Sequence, residues 1–355
     1  MIRFIAKKTM YGLLVLLGVV ILVFFLFQGF GDPSRMVAGQ SSDSATQANI
    51  RKELYLINDK GEKISRFKQF LLYLNDVSPI CFHSKADIEK KKLKGIFIGG
   101  STKFGLKIPY LRTSYQSKRS VWTILMQALP GTLMLAFSAM FIAILIGIPL
   151  GVMAAVKQNT WLDTSAVFSS IVGISAPSFF IGIIMVYLFG FVLSDWTGLN
   201  IAGSWQTVDE VTGKQRLSLQ NLILPAVTLG IRPLAIITQL TRSAMLDVLD
   251  QDYIRTAYAK GLSKRTVIWK HGLRNAMNPV ITAVTGWFAE LLAGAFFVEY
   301  IFGWQGIGKV TVDALEKLDY PVVMGAVLIA ATFFILINIL ADILYGVVDP
   351  RVRVQ

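Results

Sequence analysis

Six stretches of this chain are too long and too apolar for a single soluble core to hide. They fall at about 10–27, 129–156, 167–193, 222–240, 280–302 and 322–348. Each is near or above the roughly 18–20 residues that a helix needs to cross the hydrocarbon of a bilayer. Lipid offers no water to unpaired amides, so the segments should satisfy their backbones internally as helices. Of the 355 residues, 54% are hydrophobic and only 16% charged, with a mean hydropathy of +0.57, which agrees with a polytopic membrane protein.

The first run follows Arg3, Lys7 and Lys8 and reads as an uncleaved anchor. A signal peptide is the rival, but the run is longer than a usual h-region and Gln28-Gly29-Phe30-Gly31 lacks an A-x-A cleavage pattern. Alternation from this anchor puts both termini inside, with the loops near Lys157 and at 242–278. Lys157, Arg351 and Arg353 then obey the positive-inside bias. The segment 29–120 lies outside although it carries Lys90, Lys91, Lys92 and Lys94, because long loops translocate largely regardless of charge. That lysine cluster is expected to be a solvated face. Within the segment, 41–48 is polar and loose, and 50–74 has helix-compatible spacing broken at Gly61.

Several chemistries are excluded. One cysteine, Cys81, cannot form an internal disulfide, and with only His83 and His271 no zinc-type cluster assembles. The net charge of +13 comes with no aromatic-rich RNA-binding signature, so nucleic acid is not an expected partner. No G-x-S-x-G, H-E-x-x-H or Cys-x-x-Cys motif is present. The phrase Gly303-Trp304-Gln305-Gly306-Ile307-Gly308-Lys309-Val310 nearly spells a P-loop, but Val310 stands where a hydroxyl must reach magnesium. No cofactor is therefore expected on this chain.

The most unusual segment is polar. Residues 252–279 form a basic, amphipathic stretch between two membrane-length runs. Ile254, Ala257, Tyr258 and Gly261 recur at the spacing of one helical face. Gly261 can take positive φ and end a first helix, and Ser263 is a good N-cap for a second from Lys264. Asn278-Pro279 should close the second helix. The expected product is a rigid helical hairpin beneath the membrane, suited to a groove on another protein; a surface hairpin with no partner is the alternative.

This segment resembles the cytoplasmic coupling loop, the EAA loop, of permeases in the dipeptide and oligopeptide branch of ATP-binding-cassette (ABC) importers. The carrying phrases are Arg255-Thr256-Ala257-Tyr258-Ala259-Lys260-Gly261-Leu262-Ser263 and 271–279, with Arg-Thr in place of the opening Glu-Ala of the general motif. Further likeness lies in Leu129-Pro130-Gly131-Thr132-Leu133, Ala176-Pro177-Ser178-Phe179, Leu240-Thr241-Arg242-Ser243-Ala244, 298–308, Asp319-Tyr320-Pro321-Val322-Val323 and Asp349-Pro350-Arg351-Val352-Arg353. It covers 9–30 weakly and 121–353 strongly. It falters at 77–103, which looks like an insertion serving either as landing surface for a binding protein or as decoration.

The resemblance implies an all-α integral membrane protein of six transmembrane helices, with the type I ABC importer permease (MetI-like) fold and a large extracytoplasmic insertion between the first two helices. The parts are an anchor at 1–28, an extracytoplasmic segment at 29–120 and a five-helix core at 121–355 holding the loop at 244–279. The implied site is ATPase coupling through Asp252, Ile254, Ala257, Lys260, Gly261, Leu262, Ser263, Arg265, His271 and Arg274. Implied partners are the lipid bilayer, a second related permease, an extracytoplasmic substrate-binding protein and two ABC ATPase subunits carrying ATP and magnesium. The place is the bacterial cytoplasmic membrane. The same branch includes nickel, glutathione and other small-solute permeases. An ATP-independent transporter or a membrane scaffold is the reading from another class.

Arg232 and Glu290 each stand about ten residues into an apolar run, where a charge costs several kcal/mol unless paired or wet. They either line a translocation path or pair with each other. Asp342, one turn beyond Asn338, should meet a cytoplasmic arginine. Pro149, Pro177, Pro225 and Pro233 mark kinks or span ends.

Overall fold

A computed structural model describes residues 2–29, 48, 51–58, 61–100, 102–208 and 215–348. The expected loose stretch at 41–47, the C-terminal phrase 349–353 and the arginines at 351 and 353 lie outside the described residues. In chain order the elements begin with α1 (Ile2–Gly29), α2 (Arg66–Val77), β1 (Ile80–Ser84), α3 (Lys85–Lys91), β2 (Gly95–Ile98) and β3 (Thr102–Lys107). Next come α4 (Val121–Val156), α5 (Trp161–Ser175), α6 (Ser178–Tyr187), a π-helical turn Leu188–Val192, and the short strands β4 (Gln206–Val208) and β5 (Gln215–Leu217). The rest is α7 (Gln220–Leu249), α8 (Asp252–Ala259), α9 (Lys264–Thr266), a second π-helical turn Val267–Gly272, α10 (Leu273–Gly294), α11 (Phe296–Ile301), α12 (Ile307–Glu316) and α13 (Tyr320–Val348).

Among the described residues four helices are long and apolar enough to cross a membrane: Phe4–Gln28, Val121–Val156, Gln220–Leu249 and Tyr320–Ile343. The run expected at 167–193 is not one straight span. It is α5 followed by α6 and its π-turn, bent by 108°. Pro177 causes the break, because its ring keeps Ala176 out of the helical region, at φ −78° and ψ 129°, and leaves α6 to start afresh. The run expected at 280–302 is divided between α10 and α11. The helix α4 starts at Val121, eight residues before its apolar run, and passes through Pro130 and Pro149.

Two compact units emerge, one of Met1–Gly12, Ala128–Lys309 and Thr332–Gln355, the other of Leu13–Gln127 and Val310–Ala331. In the first, Leu135, Ala139, Leu224, Leu229, Ile237, Val280, Leu291 and Val298 form a core shared by α4, α7, α10 and α11. The outward face of this unit stays apolar, with Phe137, Phe141, Phe168, Ile183 and Leu336 exposed, as a lipid-facing surface requires. Lys8 pairs with Asp342 at 2.8 Å, so the N-terminal end of α1 and the C-terminal end of α13 lie together. Among the described residues the partner of Asp342 is thus a lysine, and the arginines at 351 and 353 lie outside them.

The second unit holds an antiparallel sheet of order β1-β3-β2, in which Phe104 faces both Phe82 and Ile98. Strand alternation buries Cys81, His83 and Lys107 on one face and exposes Ile80, Phe82, Ile96, Ile98, Phe104 and Leu106 on the other. Asp76, 1% exposed, anchors the buried side. It accepts from Tyr55 and from Lys91, the latter at 2.6 Å, while its carbonyl accepts from Lys107 and from the Tyr110 amide. Lys90, Lys92 and Lys94 are solvated as expected; Lys91 is turned inward to this carboxylate. The break expected at Gly61 comes earlier, since helix ends before Tyr55 and resumes at Arg66.

Candidate functional site

The polar hairpin is built from two apolar contacts and two local backbone devices. On α8, Ile254 and Ala257 are buried against Val267, with Val248 and Leu249 completing the cluster. The rest of the predicted face, Tyr258 and Gly261, remains exposed. Gly261 has φ +78°, a left-handed conformation that costs a residue with a Cβ about 1–2 kcal/mol. Ser263 caps α9: its Oγ accepts from the Thr266 amide at 3.3 Å. Asp252 stands in the first turn of α8, where a carboxylate is favoured by the exposed amides, and pairs loosely with Arg255 at 3.6 Å.

Asn278-Pro279 does not end the second arm. After the π-turn Val267–Gly272, α10 runs unbroken from Leu273 to Gly294 with Pro279 inside it. Proline forfeits one amide bond, here the one to the Asn275 carbonyl, and a helix can continue through that single loss. On either side, side chains add bonds to the backbone, Asn275 Nδ2 to the His271 carbonyl at 2.8 Å and Thr282 Oγ1 to that of Asn278 at 3.2 Å. The hairpin is therefore one piece with the apolar helix that follows it.

A second cluster locks this elbow to its neighbours. Ile268 and Ala276 pack with Val152 and Ala155 of α4 and with Met245 of α7. Nearby, Gly151 lets α4 touch α7, since a Cβ there would stand 2.6 Å from the Thr238 carbonyl. Arg242 grips Asp163 with two guanidinium nitrogens, one at 2.8 Å, and Asp163 also accepts from the Asn159 amide at 3.0 Å. That pair ties α5 to the end of α7 beside the hairpin. The hairpin is thus packed on α4 and α7 and continuous with α10.

Of the sequence-predicted residues, Ile254 and Ala257 face inward, while Asp252, Lys260, Gly261, Leu262, Ser263, Arg265 and Arg274 are exposed and His271 is half-buried. Tyr253, Tyr258, Leu262 and Trp269 are 39–45% exposed among these cations, a mixed aromatic and basic surface. Arg232 and Glu290 are both exposed, and no ion pair joins them, so the expected pairing is absent. The Arg232 guanidinium instead lies 5.4 Å from the Trp287 ring centre, a cation–π contact between α7 and α10.

Sequence reasoning passed over Glu299. Wholly buried, its carboxylate accepts from Thr132 Oγ1 at 2.7 Å and from the amides of Gly308 at 2.7 Å and Lys309 at 3.2 Å. Thr132 in turn accepts from the Ile307 amide, and the Trp304 indole donates to the Gly131 carbonyl at 2.9 Å. The near-P-loop thus does behave as a nest of amide donors at the start of α12, and the group that fills it is the protein's own buried carboxyl. A Cβ on Gly306 would overlap that carboxylate, which accounts for the glycine.

The sequence profile described as "Binding-protein-dependent transport system inner membrane component" matches residues 147–354. The chain is 44% identical over 254 residues to the dipeptide transport system permease protein DppB of Haemophilus influenzae, covering 68% of this chain and 76% of that one. It is 34% identical over 373 residues to the DppB protein of Escherichia coli K12, covering 99% of both. The glutathione transport system permease protein GsiC of Salmonella paratyphi A is 34% identical over 355 residues, again with 99% of both covered. A solved structure of the MetNI methionine ABC transporter, inward facing, superposes with TM-score 0.49 at 17% identity, covering 64% of this chain and 97% of that one. By profile and by full-length identity, this chain belongs to the family of binding-protein-dependent transport system inner membrane components.

Proposed function

We propose that this chain is the permease subunit of an ATP-driven importer that moves di- and oligopeptides across the cytoplasmic membrane. The single observation that carries the mechanism is the continuity of the hairpin with α10 and its packing on α4 and α7. A groove on a cytosolic ATPase that grips Tyr258, Leu262 and Trp269 would move three apolar helices as a body. Two stable packings of those helices, biased at one end by nucleotide, are what alternating access requires. ATP and magnesium belong to the ATPase chains in this reading, and a second related permease completes the pathway.

Peptide cargo is supported by the relatives named for dipeptides, and glutathione, itself a tripeptide, by the relative named for it. Arg232 lies about 18 Å along a helix of about 44 Å. It is exposed there, packed on the Trp287 ring and with no acidic partner among the described residues, which supports a place facing water or another subunit. We assign Arg232 and Glu290 to the translocation path, with Arg232 drawing a peptide carboxylate and Glu290 a peptide amine. Both termini are assigned to the cytoplasm.

The test is to purify the tagged chain with its companions, reconstitute them in vesicles and measure ATP hydrolysis with binding protein and peptide. The reading expects co-purifying ATPases and peptide-stimulated hydrolysis, with uptake lowered in Arg232→Ala and Glu290→Ala. No companion ATPase, or uptake without ATP, would overturn it. Stimulation by glutathione and not by dipeptides would select the second cargo.

A further inference from the structure

The second unit holds a half-open cavity of about 710 Å³, apart from the hairpin described above. Part of its wall is the last turns of α1, through Phe24, Phe27 and Gln28, and the first turns of α13, through Tyr320, Pro321 and Met324. Both helices are long and apolar enough to span a membrane, so their ends bring the cavity to the level where hydrocarbon gives way to headgroups. Leu54, Ile57 and Ile64 add apolar wall.

The polar part of the wall has one sign. Arg51, Lys63, Arg66 and Arg112 line the cavity, and no acidic side chain does among the described residues. Of the described carboxylates in this unit, Asp76 is engaged by Lys91 and Tyr55, and Glu53 accepts from Thr113. Arg112, 7% exposed, stacks over the rings of Tyr55 and Tyr73 at 5.6 and 5.7 Å. Its Nε, and the hydroxyls of Tyr73 and Tyr115, have no hydrogen-bond partner in the protein. Buried donors left so are costly, and an acceptor-rich anion is the group that would relieve them. Burial pushes both phenols well above the ordinary tyrosine range, so they stay protonated as donors.

We propose that this cavity is a binding site for an anionic phospholipid, its phosphate held among Arg112, Lys63 and Arg66 and its chains running out along Phe24, Phe27 and Met324. Arg112, Lys63 and Arg66 against one apolar wall match a charged head on a hydrocarbon body. The volume accommodates the headgroup and first carbons, and the remaining chain stays in the bilayer. A bound lipid would fasten α2 and the Arg112 loop to the ends of α1 and α13.

The full chain is reconstituted in nanodiscs containing either phosphatidylglycerol or phosphatidylcholine in phosphatidylethanolamine, extracted into mild detergent, and its retained lipids are counted by native mass spectrometry. Lys63 and Arg66 are exposed, so the Lys63→Gln/Arg66→Gln variant should fold. Selective retention of phosphatidylglycerol is expected, falling on the order of tenfold in that variant. A cavity-filling Leu54→Trp variant should lose it as well. Equal retention of both lipids, or unchanged retention in both variants, would overturn the assignment. Displacement by millimolar inorganic phosphate would mark a free-anion site, and displacement by a dipeptide a peptide subsite; either result also overturns it.

Discussion

Two residues show how much depends on contacts between distant parts of the chain. Glu299 and Thr132 are 167 positions apart, yet their bond organises the start of α12. Replacing Glu299 by alanine strands the Gly308 amide, at about 1–3 kcal/mol, and removes an acceptor from Lys309 and a partner from Thr132. Thermal unfolding in detergent should show Glu299→Ala well below wild type, with Glu299→Gln between them. Gly306→Ala should resemble Glu299→Ala because its Cβ would displace the carboxylate, whereas Gly286→Ala, with nothing within 4 Å, should be close to neutral. Equal melting of the two glycine variants would remove this account. His83 makes a pH prediction for the sheet. Burial first, and the Lys91 charge second, hold its imidazole below the ordinary 6.5. The unfolded chain then binds the proton more tightly, so the stability is full above about pH 6.5 and drains away as pH falls below it. Hydrogen-exchange protection of 80–107, corrected for the intrinsic pH dependence of amide exchange, should fall between neutral pH and about pH 5, and His83→Asn should flatten that dependence.

At the level of elements, the hairpin separates turn chemistry from helix length. Gly261 has open space around it, so Gly261→Ala should cost about 1 kcal/mol from the backbone alone and leave most uptake intact. Gly261→Pro cannot reach φ +78° and should open the hairpin, giving poor assembly with the ATPase or hydrolysis without uptake. Normal uptake by the proline variant would refute the rigid lever. The turn at Gly261 and the cap at Ser263 were legible in the sequence because each is settled by one residue and its immediate backbone. The end of the second arm was not, because Pro279 removes only one bond and neighbouring packing decides whether a helix survives that. Pro177 announced a break, but its 108° needed the tertiary contacts of α5 and α6. The β1-β3-β2 sheet went unread because its strands are of four to six residues and turn their large apolar side chains outward. Glu299 went unread for the reason already given: its donors come from far along the chain.

For the molecule as a whole, composition and run length announced a polytopic membrane protein, and the motif phrases carried the resemblance to the family and located the hairpin. Four straight spans and one bent pair are visible among the described residues, and a sixth would have to come from α10. The contact of Lys8 with Asp342 brings the chain-terminal ends of the first and last helices together, consistent with an even number of crossings. The decisive question is which side of the membrane the hairpin occupies and what covers it. Cys81 is the only cysteine and is fully buried, so a Cys81→Ser background allows a single reporter at Leu262→Cys. A membrane-impermeant maleimide should label that reporter in inside-out vesicles and not in right-side-out ones, and the ATPase that co-purifies should shield it. Labelling from the right-side-out face, or labelling indifferent to the ATPase, would contradict the coupling role.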